Sequence, residues 1–282
     1  MKTGLVLEGG AMRGLFTAGV MDVLLENGIE FDGMVGVSAG AAFGCNYKSK
    51  QIGRVLRYNL NYCRDPRYCG LRSLIFTGDI FGRDFCYRRL PDELDPFDYQ
   101  SYRENPMPFY AVVTDVHTGK ALLHRCDNGG GEDLDWIRAS ASMPLVSRPV
   151  KIGGGAYLDG GIADSIPLPA FEKMGYERNV VVLTQPKGYV KEKNGMLGLM
   201  RLALRKYPNL LDTIACRHEE YNEATAYVQE RENEGAAFVI RPDMALDVSR
   251  IEHDPARLKA AYDHGRMVAQ RELGRLKTFI EG

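Results

Sequence analysis

Three short stretches carry residue types that could do chemistry together. The first is Gly36-Val37-Ser38-Ala39-Gly40, a Gly-x-Ser-x-Gly pentapeptide directly after an apolar run. A serine at a sharp strand-to-helix turn is held with its hydroxyl exposed, and flanking glycines let the backbone close up without a Cβ clash. The helix that follows offers free amide groups to a developing negative charge. The second stretch is Gly9-Gly10-Ala11-Met12-Arg13-Gly14, which follows the apolar run Gly4–Leu7 and Glu8. The third is Tyr157-Leu158-Asp159-Gly160-Gly161, an aspartate at the end of an apolar stretch. Each has a plain alternative. The pentapeptide alone could be a tight turn, and Asp159 alone a turn residue bonding its own backbone. The glycine loop could hold a phosphate or a dinucleotide, but Ala11 breaks the Gly-x-Gly-x-x-Gly spacing and no Gly-Lys-Ser/Thr is present.

The elements that must position these stretches alternate strand, loop, helix, strand, elbow, helix over the first fifty residues. That alternation predicts a mainly parallel sheet covered by helices on both faces. Residues 31–37 read as a buried strand and 38–48 as a helix. The helix before them, up to Asn27, carries a stripe at Leu15, Val20, Val23 and Leu24 that should face the sheet. Residues 66–108 are broken by Gly and Pro and read as irregular, either a packed insertion or a mobile lid. A hairpin is expected at 109–124 with its turn at Asp115–Lys120, a short helix at 134–142, and two short strands around Gly153–Gly155 that deliver Asp159. An apolar strand at 179–184, helices at 197–206 and 210–232, a strand at 236–241 and a long helix at 255–279 complete the chain.

A glycine-rich loop, a serine elbow and an Asp-Gly-Gly in this order resemble the patatin-like phospholipase family. So does the approach to the third motif, Arg138-Ala139-Ser140-Ala141-Ser142-Met143-Pro144. The resemblance covers roughly the first two-thirds of the chain. It implies a three-layer α/β/α fold with a nucleophile elbow, residues 1–185 as catalytic core, and 186–282 as a helical extension with one further strand packed on it. It implies Ser38 as nucleophile and Asp159 as its base, an activation a serine hydroxyl needs. Gly160 and Gly161 complete the aspartate motif, as Gly36 and Gly40 complete the elbow. The oxyanion hole falls on Gly9, Gly10, Ala11 and Gly14, with Arg13 bracing the loop and the Ala39 amide contributing. Ala11 stands where the family has a third glycine; its amide serves at negative φ, whereas a positive φ there would be a handicap.

The resemblance further implies lipid acyl esters as substrates, with transient contact to a membrane surface, and no cofactor or metal. An acyltransferase using the same acyl-serine is the first alternative, and a non-catalytic lipid- or partner-binding module the second. A Ser-His-Asp triad needs a histidine, and among positions 117, 124, 218, 253 and 264 only His253, in a loop before Pro255, suits one. Asp164 should cap or lead into the helix around Pro167 rather than do chemistry.

Composition narrows the rest. A hydrophobic share of 45% with 26% charged residues is ordinary for a globular protein, and a net charge of −1 gives no global field for nucleic acid. The six cysteines have no paired C-x-x-C spacing and read as reduced thiols. With no basic-apolar leader and no run long enough to span a bilayer, the expected compartment is the cytoplasm. Part of the apolar segment from Leu71 to Phe85 is expected to line an acyl groove or its rim next to Ser38, the competing reading being that its apolar side chains are plain core.

Overall fold

A computed structural model describes all 282 residues. In chain order the elements are β1 (Lys2–Leu7), α1 (Gly14–Glu26), β2 (Gly33–Val37), α2 (Ala39–Lys48), α3 (Arg54–Tyr62), α4 (Leu71–Thr77), α5 (Tyr99–Glu104), β3 (Phe109–Asp115), β4 (Ala121–Arg125), α6 (Glu132–Ser140), β5 (Val150–Ile152), β6 (Gly155–Asp159), α7 (Leu168–Lys173), β7 (Tyr176–Val182), α8 (Leu197–Ala203), α9 (Pro208–Asn233), β8 (Ala237–Ile240) and α10 (Pro255–Glu281). The strands form one sheet in the order β5-β6-β3-β2-β1-β7-β8, with β4 also on β3. Neighbours from β3 through β8 along this order run parallel, while β4, β5 and β6 pair antiparallel.

Strands buried on both faces need apolar residues on both, and β1, β2 and β7 have them. Leu5 and Leu7 pack on one side with α1, α2 and α10, while Val6, Val35 and Val181 pack on the other with α7 and α9. The result is the expected three-layer α/β/α arrangement. The last strand and last helix belong to the same body: β8 pairs with β7, and α10 lies along α1.

That last contact changes the reading of α1. A stripe facing a sheet was expected, yet every residue from Gly14 to Leu24 is buried. A helix apolar all round needs cover on its outer face too, and α10 supplies it. The helices touch backbone to backbone: a Cβ on Gly265 would sit 2.0 Å from the Phe16 carbonyl oxygen, and one on Gly19 2.1 Å from that of Tyr262. Tyr262 also donates to Asp22 Oδ2 at 2.6 Å.

The 66–108 segment is more ordered than its glycines and prolines suggested. It holds α4, a π-helical stretch Phe85–Leu94 and α5. Pro91, inside that stretch, cannot donate a ladder hydrogen bond, which suits the wide turn. The stem of the α4 excursion is tied by Gly70 N–H to Ile80 O (2.9 Å) and Gly82 N–H to Tyr68 O (3.0 Å).

The close crossing gives the first prediction. Gly265→Ala forces a methyl into a backbone carbonyl and should lower stability by about 3 kcal/mol or more. A urea midpoint unchanged from wild type would show that α10 can shift aside without cost.

Candidate active site

The site forms along one edge of β3. On that edge β2 pairs up to Val37↔Val112, and β6, running the other way, begins at Asp159↔Val113. β4 occupies the opposite edge over Tyr110–Thr114. Where β2 stops and β6 arrives, the residues leaving the sheet are Ser38 and Asp159. Ser38 Oγ donates to Asp159 Oδ2 at 2.6 Å.

Ser38 lies at φ 54°, ψ −118°, a sparsely populated region for a residue with a side chain, and such strain persists only when the surroundings hold it. Here the turn is pinned. Ala41 and Ala42 N–H both donate to Ser38 O, at 3.0 and 2.9 Å. The Ser38 N–H donates to Ser140 Oγ at 2.9 Å. The elbow glycines are needed for close approach: a Cβ on Gly36 would lie 2.5 Å from Gly40 O, and one on Gly40 2.4 Å from Leu7 O.

Asp159 is buried and held from several sides. Its Oδ1 accepts from Gly161 N–H at 2.8 Å, its own N–H donates to Ser142 O at 2.8 Å, and its carbonyl accepts from Thr114 Oγ1 at 2.8 Å. Gly160 passes the Val112 carbonyl so closely that a Cβ would lie 2.1 Å from it. Burial raises the Asp159 carboxyl above its ordinary pKa of 3.8, against the Ser38 hydrogen bond, the nearby Arg217 charge and the Gly161 N–H, which all lower it. A carboxylate so shifted is a better proton acceptor than a solvated one. No imidazole stands between the two residues, and His253, the triad candidate, instead places Nδ1 2.5 Å from Cys63 O.

The glycine loop sits beside them. Gly9 is 3.0 Å from the Ser38 Cβ, measured from an added Cβ, and the Gly9 and Gly10 N–H groups donate to no acceptor within the protein. Ala11 adopts φ 49°, not the negative value that would suit it. An alanine there carries a left-handed penalty of about 1–2 kcal/mol, while keeping its amide. The loop is closed by the main chain, Arg13 N–H to Gly10 O at 3.1 Å. The Arg13 side chain braces the loop by no hydrogen bond: its Nε is buried without a partner, and its charge acts on Glu8 only through space. Gly14 lets the loop rest on the elbow helix, an added Cβ meeting that of Ala39 at 2.8 Å.

The anchor behind the loop is Glu8, which the sequence reading passed over. Only 1% exposed, it accepts from Thr184 N–H (2.5 Å), Thr184 Oγ1 (3.1 Å) and Tyr221 OH (2.7 Å). Burial raises its pKa against those same bonds. An acid ending an apolar strand directly before two glycines was the available signal. Ser140 and Arg217 were also missed; Arg217 Nε donates to Gly161 O. Asp164 leads into α7 without capping it, since the helix's first residue follows Pro167. Its Oδ1 accepts from Ile166 N–H at 3.2 Å, and burial pushes its pKa up to about 6.

Two cavities meet at Ser38, sharing Ala11, Ser38 and Met143 in their walls. One, of about 110 Å³, is walled mainly by apolar and aromatic side chains including Phe43, Tyr58, Phe81, Leu90, Phe97 and Ile137. The other, of about 320 Å³, is polar, with Arg13, Lys191, Arg217 and Arg250 among its lining. From the Leu71–Phe85 segment only Phe81 reaches the apolar cavity. Ile80 and Phe85 are core, while Leu71, Ile75 and Phe76 are 74–78% exposed on α4. Elsewhere His124, Cys126 and Asp133 bring ligand atoms within 4.8 Å of one another. There Asp133 Oδ2 accepts from the Asn128 and Gly129 N–H groups, and His124 stacks on Trp136, which accounts for the cluster as a loop anchor.

Residues 5–171 match the family model described as Patatin-like phospholipase, and residues 207–281 match a domain of unknown function, DUF6363. The chain is 26% identical to the uncharacterized Escherichia coli (strain K12) protein YjjU over 94% of its length and 75% of that protein's. It is 29% identical to a putative patatin-like phospholipase domain-containing protein of Caenorhabditis elegans, over 64% of this chain and 16% of that one. An uncharacterized NTE family protein of Mycobacterium tuberculosis (strain ATCC 25618 / H37Rv) is 26% identical over 96% of this chain and 46% of its own length. Apart from YjjU, the chain thus spans about half or less of these relatives. VipD from Legionella pneumophila aligns structurally with a TM-score of 0.44 at 14% identity, covering 96% of this chain and 67% of that one.

The raised pKa of Asp159 has a sign for stability. A carboxyl whose folded value lies above its unfolded one stabilises fully below the unfolded pKa, and that contribution is lost as pH rises through the folded value. At neutral pH the ionised group is a liability. Asp159→Asn should therefore melt at or above wild type at pH 7, with the difference shrinking toward pH 4; a clear drop in melting temperature at pH 7 contradicts this.

Proposed function

The chain belongs to the patatin-like phospholipase family, and on that premise we propose that it is a serine hydrolase of lipid carboxylic esters, working through an acyl-Ser38 intermediate with Asp159 as the only base. The observation that carries this reading is the 2.6 Å hydrogen bond from Ser38 Oγ to a buried carboxylate, at the junction of an apolar and a polar cavity.

In the first half-reaction Ser38 Oγ attacks the ester carbonyl carbon while its proton passes to Asp159 Oδ2. The carbonyl oxygen becomes an oxyanion facing the Gly10 and Ala11 amides and that of Ala39, and losing one such donor typically costs ~10²–10³ in rate. As the tetrahedral species collapses, the C–O bond to the alcohol breaks and Asp159 returns the proton to the leaving oxygen. In the second half-reaction Asp159 takes a proton from water as its oxygen attacks the acyl carbon. Collapse releases the fatty acid, and the proton goes back to Ser38. The acyl chain occupies the apolar cavity and the alcohol portion the polar one. Because α9 supplies Arg217 beside Gly161 and Tyr221 on Glu8, we read the C-terminal third as part of the same catalytic unit.

Contact with a lipid surface has its own support. The stem residues Tyr68 and Phe81 line the apolar cavity, and the α4 excursion between them presents Leu71, Ile75 and Phe76 to solvent. Exposed apolar clusters at the rim of a binding cavity suit insertion among acyl chains.

Two tests follow. Ser38→Ala should abolish both fluorophosphonate labelling and ester hydrolysis while melting within a few degrees of wild type. Asp159→Asn should cut turnover by ~10² or more, with His253→Ala near wild type. Since the base must be ionised, kcat/KM should fall as pH drops through the raised Asp159 pKa; Arg217→Met removes a charge that lowers it and should move that limb to higher pH. Full activity in Asp159→Asn, or labelling that survives in Ser38→Ala, sinks the dyad. For the surface, Ile75→Ser/Phe76→Ser should lose ~10-fold or more on vesicle lipid with hydrolysis of a soluble short-chain ester unchanged. Equal loss on both substrates would assign α4 a purely structural part.

A further inference from the structure

The polar cavity holds more positive charge than the dyad or the loop requires. Arg13, Lys191, Arg217 and Arg250 all line it, against two carboxylates, Glu8 and Asp159. None of the four cations comes within 4.0 Å of a carboxylate; the chain's other basic residues supply all of its ion pairs. The two acids are already engaged, Glu8 by Thr184 and Tyr221 and Asp159 by Ser38 and Gly161. Arg13 Nε is a buried donor with nothing to donate to. The Lys191 Nζ sits 4.0 Å from the centroid of the Tyr221 ring, held in place without an anion. Its pKa falls to about 8, chiefly through burial and then through repulsion by Arg217, Arg13 and Arg250, as expected where cations crowd together.

Like charges gathered in a concave, partly desolvated site raise one another's energy, and a multivalent oxyanion relieves it. Guanidinium forks and an ammonium suit phosphate, whose several oxygens accept charge-assisted hydrogen bonds at once. We propose that Lys191, Arg217 and Arg250, together with Arg13, form an anion subsite that seats a phosphate group next to Ser38. Three of the four lie beyond residue 171, outside the part of the chain that matches the family model. The subsite is therefore assembled mainly from the C-terminal part of the chain, with Arg217 and Arg250 inside the second matched region, 207–281, and Arg13 alone from the first. Its consequence for chemistry rests on the hydrolase reading above. With the acyl chain in the apolar cavity, the phosphate falls on the alcohol side of the ester, and phosphate-bearing acyl esters are preferred over neutral glycerides.

Binding separates the subsite from the hydrolase reading, because it needs no turnover. In Ser38→Ala protein, calorimetric titration with soluble dihexanoyl phosphatidate should show affinity ~10-fold or more above that for dihexanoylglycerol, and the advantage should shrink between 50 and 500 mM salt. The Lys191→Met/Arg250→Met double variant, folded by its melting curve, should bring the two ligands within about 2-fold. Inorganic phosphate distinguishes the sources: affinity near that of phosphatidate assigns the site to free phosphate, and much weaker binding assigns it to a lipid head group. Equal affinity for phosphatidate and diglyceride, a preference that survives in the double variant, or one indifferent to salt would each overturn the proposal. In wild-type protein, hydrolysis of neutral esters without any phosphate preference defeats this inference alone. Phosphate binding by a protein whose Ser38 does not react defeats the hydrolase reading alone.

Discussion

One edge of β3 carries the constraint on which the rest depends. Two strands share that edge end to end, β2 arriving with Val37 and β6 with Asp159 on adjacent residues of β3. Backbone ladders repeat with fixed spacing, so this register sets the separation of the two side chains before any rotamer is chosen. A slip of one residue in β6 would turn Asp159 to the opposite face and present Leu158 or Gly160 in its place. The neighbouring groups make that slip costly. Gly160 fits only because it lacks a Cβ against Val112 O, and the Arg138–Pro144 stretch grips both partners, Ser140 on the Ser38 amide and Ser142 on the Asp159 amide.

Around this frame the protein tolerates features that lower its stability. Ser38 and Ala11 hold positive φ, and Glu8 and Asp159 are carboxylates removed from water. Both carboxylates are compensated by hydrogen bonds rather than by an ion pair. Glu8 receives three donors and in turn ties the glycine loop to β7's end and to α9. The loop is thus positioned from the far side of the molecule, by residues near positions 184 and 221.

The parts of this arrangement legible in the sequence are those encoded locally. Ser38 with Gly36 and Gly40, and Asp159 with Gly160 and Gly161, are contiguous motifs whose glycines answer to backbone clashes a few residues away. The βα alternation was readable because the strands are short and apolar and the helices periodic. What was not legible depends on partners distant in sequence. Ser140 is one serine among several until its hydroxyl meets a residue 102 positions away, and Glu8 reads as a strand end until Tyr221 reaches it from 213 positions on. Local patterns misled in α4, where Leu71, Ile75 and Phe76 have the composition of a buried stripe but face solvent. They misled again in α1, whose full burial requires a helix more than two hundred residues later. Ala11 was flagged correctly as the position where φ mattered, but its sign is set by the loop's tertiary anchors.

The crossing of α1 and α10 bears on how the molecule comes into being. The ribosome delivers the glycine loop and α1 well before α10, with 255 positions between Glu26 and Glu281. At ~5–20 residues per second, roughly 10–50 s separate the two helices. Throughout that interval the outer face of α1 has no partner, and the backbone contact at Gly19 and Gly265 cannot be made. A nascent chain therefore carries an exposed apolar helix attached to an unfinished loop, a natural target for chaperones. The site gains its full surroundings only once α10 has been made, so any activity it has is withheld from the shorter nascent chain by the order of its own synthesis.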